Sequence, residues 1–135
     1  MVDLGLDSSK PFLVIGRAGM DLYPTPINTK TADATEFVSA LGGSSANIAV
    51  ALCRLGQRAS LVTCISDDAI GSFVENQLKH YGVDSRFLRK VNGDCRASLA
   101  IVESRVEDHQ SVIYRNNAAD FQMDQGDFVS IKMSE

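Results

Sequence analysis

Tryptophan is absent from this chain of 135 residues, and cysteine (three), proline (three) and histidine (two) are scarce. Cys53, Cys64 and Cys95 lie far apart with no C-x-x-C pair, so the chain encodes neither a disulfide framework nor a zinc ribbon. They read as reduced thiols of a cytoplasmic protein, Cys53 and Cys64 within apolar runs. His80 and His109 share no metal-ligand spacing with each other or with a cysteine, so no metal site is expected. No apolar run approaches the roughly 20 residues of a membrane-spanning helix. Asp3 and Asp7 precede Pro11 with no long apolar run between, so no signal peptide is visible. Basic residues are outnumbered, 13 against 17 acidic, giving a net charge of −4. That balance excludes a general nucleic-acid binder, which needs a basic face. Neither nucleic acid nor membrane is an expected partner.

What remains is an ordinary globular composition, 44% hydrophobic with a mean hydropathy of −0.03. One domain of this length buries roughly two thirds of its unfolded surface. Residues 1–10 read as a flexible leader. Residues 11–15 form a short apolar run, the pattern of a buried strand. Residues 22–27 contain Pro24 and Pro26, which predicts an edge strand or an extended connection rather than a central strand. Residues 36–41 read as a strand running into Gly42-Gly43. A helix is expected over about 44–55, with Ser44 or Ser45 as N-cap and Gly56 just past its end. Residues 59–65 read as a second buried strand. Ser66-Asp67-Asp68 then caps a helix over about 69–81 that carries Phe73, Val74, Leu78 and Tyr81 on one face. Strand, helix, strand, helix in this order predicts parallel βαβ units. Short strand-like runs follow at 86–91, 97–104 and 110–115, a β-rich excursion from the α/β core. Asp127 is expected to cap a further helix from Phe128 onward. The alternation is still in progress at Glu135, the pattern of an N-terminal portion of a longer protein.

The run Gly42-Gly43-Ser44-Ser45-Ala46-Asn47 carries the most chemistry. Glycine without a Cβ lets backbone approach a ligand, and a helix N-terminus supplies unpaired N–H groups and partial positive charge. Asn47 adds an amide that both donates and accepts. The same run also fits a plain glycine-rich loop opening a helix. Asp21 follows a strand and a glycine-containing loop, where carboxylates face the ligand crevice of an open α/β sheet, or are merely solvated. Together Asp21, Gly42, Gly43 and Asn47 form a set suited to the hydroxyls of a polyol or sugar. Arg115 could pair in a bidentate way with a substrate carboxylate, or stand as a surface arginine, and Arg17 and Arg96 are weaker candidates for the task. Gly16-Arg17-Ala18-Gly19 is not a dinucleotide fingerprint, and no G-x-x-x-x-G-K-[ST] run occurs.

Gly42-Gly43-x-x-x-Asn47-x-Ala49, Leu55-Gly56 and Gly71 after Asp67-Asp68 resemble the first signature of the ribokinase-like (PfkB) carbohydrate kinases. Within that family, Gly16-Arg17-Ala18-Gly19-Met20-Asp21-Leu22-Tyr23 and Tyr114-Arg115-Asn116-Asn117-Ala118-Ala119-Asp120 look most like the 5-dehydro-2-deoxygluconokinase branch of inositol catabolism. Ser66 departs from the glycine common in the family. The resemblance implies the N-terminal part of a three-layer αβα sandwich with a small β-sheet lid. It places a partial domain over residues 11–135, with lid strands within about 22–40 and 86–115. It implies that Asp21, Gly42, Gly43 and Asn47 hold sugar hydroxyls, and that Arg115 holds a carboxylate. The family's catalytic aspartate, in a G-A-G-D motif, has no counterpart among these residues, so no catalytic residue is expected in this chain. ATP and Mg²⁺ are implied for the full-length kinase, neither binding this stretch tightly, and the stretch alone is expected to be inactive. Lid sheets in the family can pair two subunits. A kinase for another sugar (2-keto-3-deoxygluconate, fructose or ribose type) and a non-catalytic sugar-binding or assembly module are the alternatives.

Overall fold

The structure, a computed structural model, describes residues 9–129 and 131. In chain order the strands are β1 (Phe12–Ile15), β2 (Gly19–Thr25), β3 (Glu36–Gly42), β4 (Ala59–Ser66), β5 (Leu88–Val91), β6 (Ser98–Val102) and β7 (Ser111–Tyr114). Helix α1 (Ser44–Arg54) joins β3 to β4, and α2 (Ala69–His80) joins β4 to β5. Two sheets result. One is parallel, in the order β1-β4-β5. The other is mixed, in the order β3-β2-β6-β7, with β2 parallel to β6 and antiparallel to β3.

The parallel sheet is built as its sequence dictates. Strand order advances in one direction, so right-handed crossovers put α1 and α2 on the same face. All eight residues of β4 are buried. Because side chains alternate across a strand, Leu61 and Ile65 pack with Ala46, Ala49, Val74 and Leu78 of the helices. Cys64 packs instead with Val91 and Ala119. Alanines rather than Ile48 face the sheet from α1; Ile48 is exposed. Both helices end in the same pair of bonds. Gly56 and Gln57 donate to the carbonyls of Cys53 and Leu52, and Gly82 and Val83 to those of Lys79 and Leu78, the two bonds of a Schellman motif.

Helix starts differ. Asp68 caps α2 as expected, accepting from the N–H groups of Ile70 and Gly71 at 3.0 Å each, a cap worth about 1 kcal/mol. The expected serine cap of α1 is replaced by Gly43, with no side-chain cap bond. Ser45 is occupied elsewhere, its Oγ donating to the Ile15 carbonyl at 3.1 Å.

Three other expectations are corrected. β2 is an interior strand of the mixed sheet despite Pro24. It pairs with β6 only from Gly19 to Leu22, so from Pro24 onward it has β3 alone and a missing N–H costs little. The run at 86–91 does not belong with the excursion, since Leu88–Val91 pairs with β4 in the parallel sheet. Asp127 is not a cap. Asp124 caps the 3-10 helix Gln125–Phe128, with Asp127 reaching back in a capping box. Most of the helix expected from Phe128 lies outside the described residues, as do residues 1–8 of the expected leader.

Glu103 ties the mixed sheet into one unit. It is buried, and accepts from the N–H groups of Thr31 (2.7 Å) and Gln110 (3.1 Å) and from the Arg105 guanidinium (3.4 Å). Thr31 belongs to the β2–β3 connection and Gln110 to the β6–β7 connection. The Thr31 N–H is the chief cause that lowers the Glu103 carboxyl from 4.5 to about 2. A carboxyl lowered on folding stabilises the fold fully above its unfolded value and loses that contribution as pH falls toward its folded value. Unfolding measured across the acid range should therefore show Glu103→Gln less stable than the parent at neutral pH. The two should converge between pH 4.5 and about 2.

Candidate functional site

Four chain segments cross between the two sheets: residues 16–18, residue 43, residues 92–97 and residues 115–118. They converge at the root of the mixed sheet, where Gly19 stands in register with both Gly42 and Ser98. A small open cleft lies there, lined by Arg17, Asp21, Gly43, Ser98, Leu99 and Ile113, among others.

Two glycines make the cleft. A Cβ on Gly42 would collide with the Asp21 carboxylate, so the carboxylate lies over bare backbone. Gly43 has φ +97°, and a Cβ there would lie 2.5 Å from the Arg17 carbonyl oxygen and 2.9 Å from the Ala18 Cα. Only glycine satisfies both that dihedral and that approach. The approach lets the Ala46 N–H donate to the Arg17 carbonyl at 3.2 Å, fastening the first turn of α1 beside the cleft.

Asp21 is half-buried. Burial pushes its carboxyl above the ordinary aspartate value, while the Arg17 charge and the Tyr23 hydroxyl pull the other way. The Tyr23 hydroxyl donates over a long 3.5 Å. Burial, followed by the Asp21 charge, raises the Tyr23 phenol. Arg17 acts on Asp21 through space without an ion pair among the described residues. The carboxylate therefore keeps most of its acceptor positions open.

Of the expected site residues, Asp21, Gly42 and Gly43 are brought together. Asn47 is exposed on the first turn of α1, with no side-chain hydrogen bond among the described residues. Arg115 is engaged elsewhere. It forms an ion pair with Asp120 and lies 4.3 Å over the ring of Phe121, outside the cleft lining. Asp120 is buried and also accepts from the Ser98 hydroxyl at 2.9 Å. Ser98 and Asp120 were missed as site-forming residues. Asp120 stood in the quoted run, but its burial has no signature in sequence. Ser66, the departure noted above, is buried; its hydroxyl donates to Asp68 at 2.7 Å and accepts from the Ala97 N–H at 3.0 Å. It thus holds the third crossing to the start of α2. Among the described residues no group of three His, Cys, Asp or Glu could hold a metal ion. The cradle at Gly42 is filled by a carboxylate, which repels phosphate. The cradle does not fit the phosphates of ATP, and no residue here is assigned to ATP or Mg²⁺.

The two glycines should respond differently to alanine. Gly43→Ala meets backbone and a disfavoured φ, and should lower stability by roughly 1–3 kcal/mol. Gly42→Ala meets only a side chain that can rotate. Its cost should fall when Asp21 is also replaced by alanine, a positive coupling in a double-mutant cycle read by denaturant unfolding. Equal costs with and without Asp21 would show that the carboxylate does not sit on Gly42.

Comparison with known proteins bears on the fold and the family. The family model described as pfkB family carbohydrate kinase matches residues 10–133. A 5-dehydro-2-deoxygluconokinase from Photobacterium profundum is 38% identical over 122 residues, 89% of this chain and 37% of that protein. One from Clostridium tetani is 39% identical over 121 residues, 87% of this chain and 35% of that protein. This chain thus spans little more than a third of the length of these curated relatives. A fructokinase from Xylella fastidiosa with bound ATP superposes with a TM-score of 0.71 at 28% identity, over 84% of this chain and 36% of that one. The α/β architecture is the N-terminal part of the fold these kinases share. On a match that runs from Lys10 through Met133, this chain belongs to the pfkB family of carbohydrate kinases.

Proposed function

We propose that the chain forms the substrate-binding and lid portion of an ATP-dependent kinase that phosphorylates a primary hydroxyl of a sugar acid, 5-dehydro-2-deoxy-D-gluconate, in inositol catabolism in the cytoplasm. The observation that carries this reading is the Asp21 carboxylate, half-buried over bare glycine backbone with open acceptor positions. Its relatives named 5-dehydro-2-deoxygluconokinase support the choice of acid. In this reading Asp21 accepts from two sugar hydroxyls, the Gly42-Gly43 backbone lets the sugar approach, and Asn47 donates and accepts at a further hydroxyl. The carboxylate of the acid is met by arginine, Arg115 being the one the sequence singles out. ATP, Mg²⁺ and the base that takes the hydroxyl proton belong to parts of the kinase other than these residues. Catalysis then rests on positioning and charge stabilisation, and this stretch alone is inactive.

The mixed sheet is the lid. Its exposed apolar side chains Phe37 on β3 and Val112 and Tyr114 on β7, which the strand register puts on one face, support pairing with the lid of a second copy. Light scattering should then report a dimer mass, and Phe37→Glu with Val112→Glu should return it to a monomer. For the reaction, the full-length kinase should phosphorylate 5-dehydro-2-deoxygluconate with a higher kcat/KM than ribose, fructose or 2-keto-3-deoxygluconate. A neutral sugar that wins by a large factor removes the sugar-acid assignment.

A further inference from the structure

The cleft holds one cation that its own fold does not use. Arg17 lines the cleft together with Asp21 and Gly43. Its backbone is fixed, since its carbonyl accepts from Ala46 and packs against Gly43. Its guanidinium has no hydrogen-bond or ion-pair partner among the described residues, although it stands close enough to act on Asp21. Arg115 is the opposite case. Its Nη2 is committed to the buried Asp120, its ring partner is Phe121, and its Nε is buried without a partner. Withdrawing that guanidinium to meet a ligand would leave Asp120 buried with only the Ser98 hydroxyl. Stripping a buried carboxylate of its cation is strongly unfavourable.

We infer that Arg17, not Arg115, is the specificity-determining residue for the anionic group of the substrate, and that Arg115 is a positioning residue bracing the lid through Asp120 and Ser98. This rests on the sugar-acid reading above and names the group that reads the acid. Arg17 and Asp21 line the same small open cleft, so a ligand bound with hydroxyls on Asp21 would extend past Arg17. A planar guanidinium with five free donors meets a carboxylate there in bidentate fashion. Arg17 and Asp21 would then divide the cleft, the cation taking the acid end and the anion the hydroxyl end. A neutral sugar would leave Arg17 with solvent alone.

The test compares 5-dehydro-2-deoxygluconate with its neutral analogue, in which CH₂OH replaces the carboxylate, in the full-length kinase. Arg17→Gln should raise KM for the acid by roughly 10- to 100-fold, the range expected for losing a hydrogen bond to a charged group, and leave the neutral analogue within about twofold. Arg17→Lys should recover part of the loss. Arg115→Gln should weaken both substrates alike and lower the Tm, as a brace would. Calorimetric binding of the two compounds, without turnover, checks the same ratio in any variant with low activity. The inference is overturned if Arg17→Gln keeps the wild-type preference for the acid, or if Arg115→Gln alone abolishes it. Should the wild type itself prefer the neutral compound, the sugar-acid reading fails along with it. A wild type that prefers the acid while Arg17→Gln does so equally sinks only the role given to Arg17.

Discussion

The backbone of residues 17–18 runs directly against Gly43, with no room for a side chain between them. That approach sets the relation of everything nearby. It brings the Arg17 carbonyl within reach of the Ala46 N–H and the Ile15 carbonyl within reach of the Ser45 hydroxyl. The first turn of α1 is thereby fastened to the end of β1 at two points. The next residue but one after Arg17 is Gly19, which opens β2 in register with Gly42 and Ser98. One close contact therefore fixes the parallel sheet, the mixed sheet and the helix opening around a common point. The cleft is the space that remains there, and its depth follows from the two residues that contribute no side chain to it.

Charge holds the outer parts of the arrangement, and the pairs differ in weight. Lys79 and Glu75, at i and i+4 on α2, form an exposed pair, a kind worth about 0.3–0.5 kcal/mol. Asp127 is a different case. Its carboxylate is 5% exposed and accepts from Arg89 Nε at 2.5 Å and Nη2 at 3.0 Å. The hydrogen bonds of Arg89 are the chief cause that lowers Asp127 to about 2. Cys64 sits beside it, its thiol donating to Asp127 at 3.7 Å and held protonated by burial, which raises it to about 11. The thiolate is the reactive form of cysteine, so Cys64 acts as packing and donor rather than as a nucleophile. These contacts pin the 3-10 helix Gln125–Phe128 to β4 and β5. The pair of Arg115 with Asp120 lies within the segment leaving β7, which Asp120 ties to β6 by accepting from Ser98.

How much of this could be read from sequence depended on whether the information was local. The β1 and β4 strands of the parallel sheet and its two helices were legible because each announces itself within a dozen residues. β4 is a continuous apolar run, α2 has its Asp68 cap, and both helices end in glycine. The mixed sheet was partly hidden. The position of β2 inside it depends on β6, nearly eighty residues away, and no local pattern encodes that pairing. β5 was hidden for another reason. Leu-Arg-Lys-Val looks like a solvated strand, yet Arg89 and Lys90 are occupied by Asp127 and Glu75. Of the candidate site residues, the sequence could place Gly42 and Gly43 at the start of a helix from local pattern, but not Asp21 inside β2, which is in register with β3 and β6. The engagement of Arg115 by Asp120 was not legible either, because it turns on the burial of Asp120. A sequence shows that an aspartate lies five residues from an arginine, but not that the pair is withdrawn from water.

The electrostatic state of Asp21 ties the fold to the ligand. A half-buried carboxylate loses hydration, which is why burial leads the forces on it. A well-satisfied structural carboxylate recovers that loss through short bonds, as Glu103 does with two backbone N–H groups. Asp21 recovers little. Among the described residues its one donor, Tyr23, is at 3.5 Å, Gly42 beneath it has no side chain, and Arg17 has no hydrogen-bond or ion-pair partner. Unmet capacity at this spot is a consequence of the same glycine approach that joins the two sheets, because the approach excludes every side chain that could have filled it. Two hydroxyl donors arriving from outside would supply the bonds that Glu103 obtains from its own chain. The proposed binding of a sugar thus rests on the deficit at Asp21, whose position is set by the contact that builds the fold.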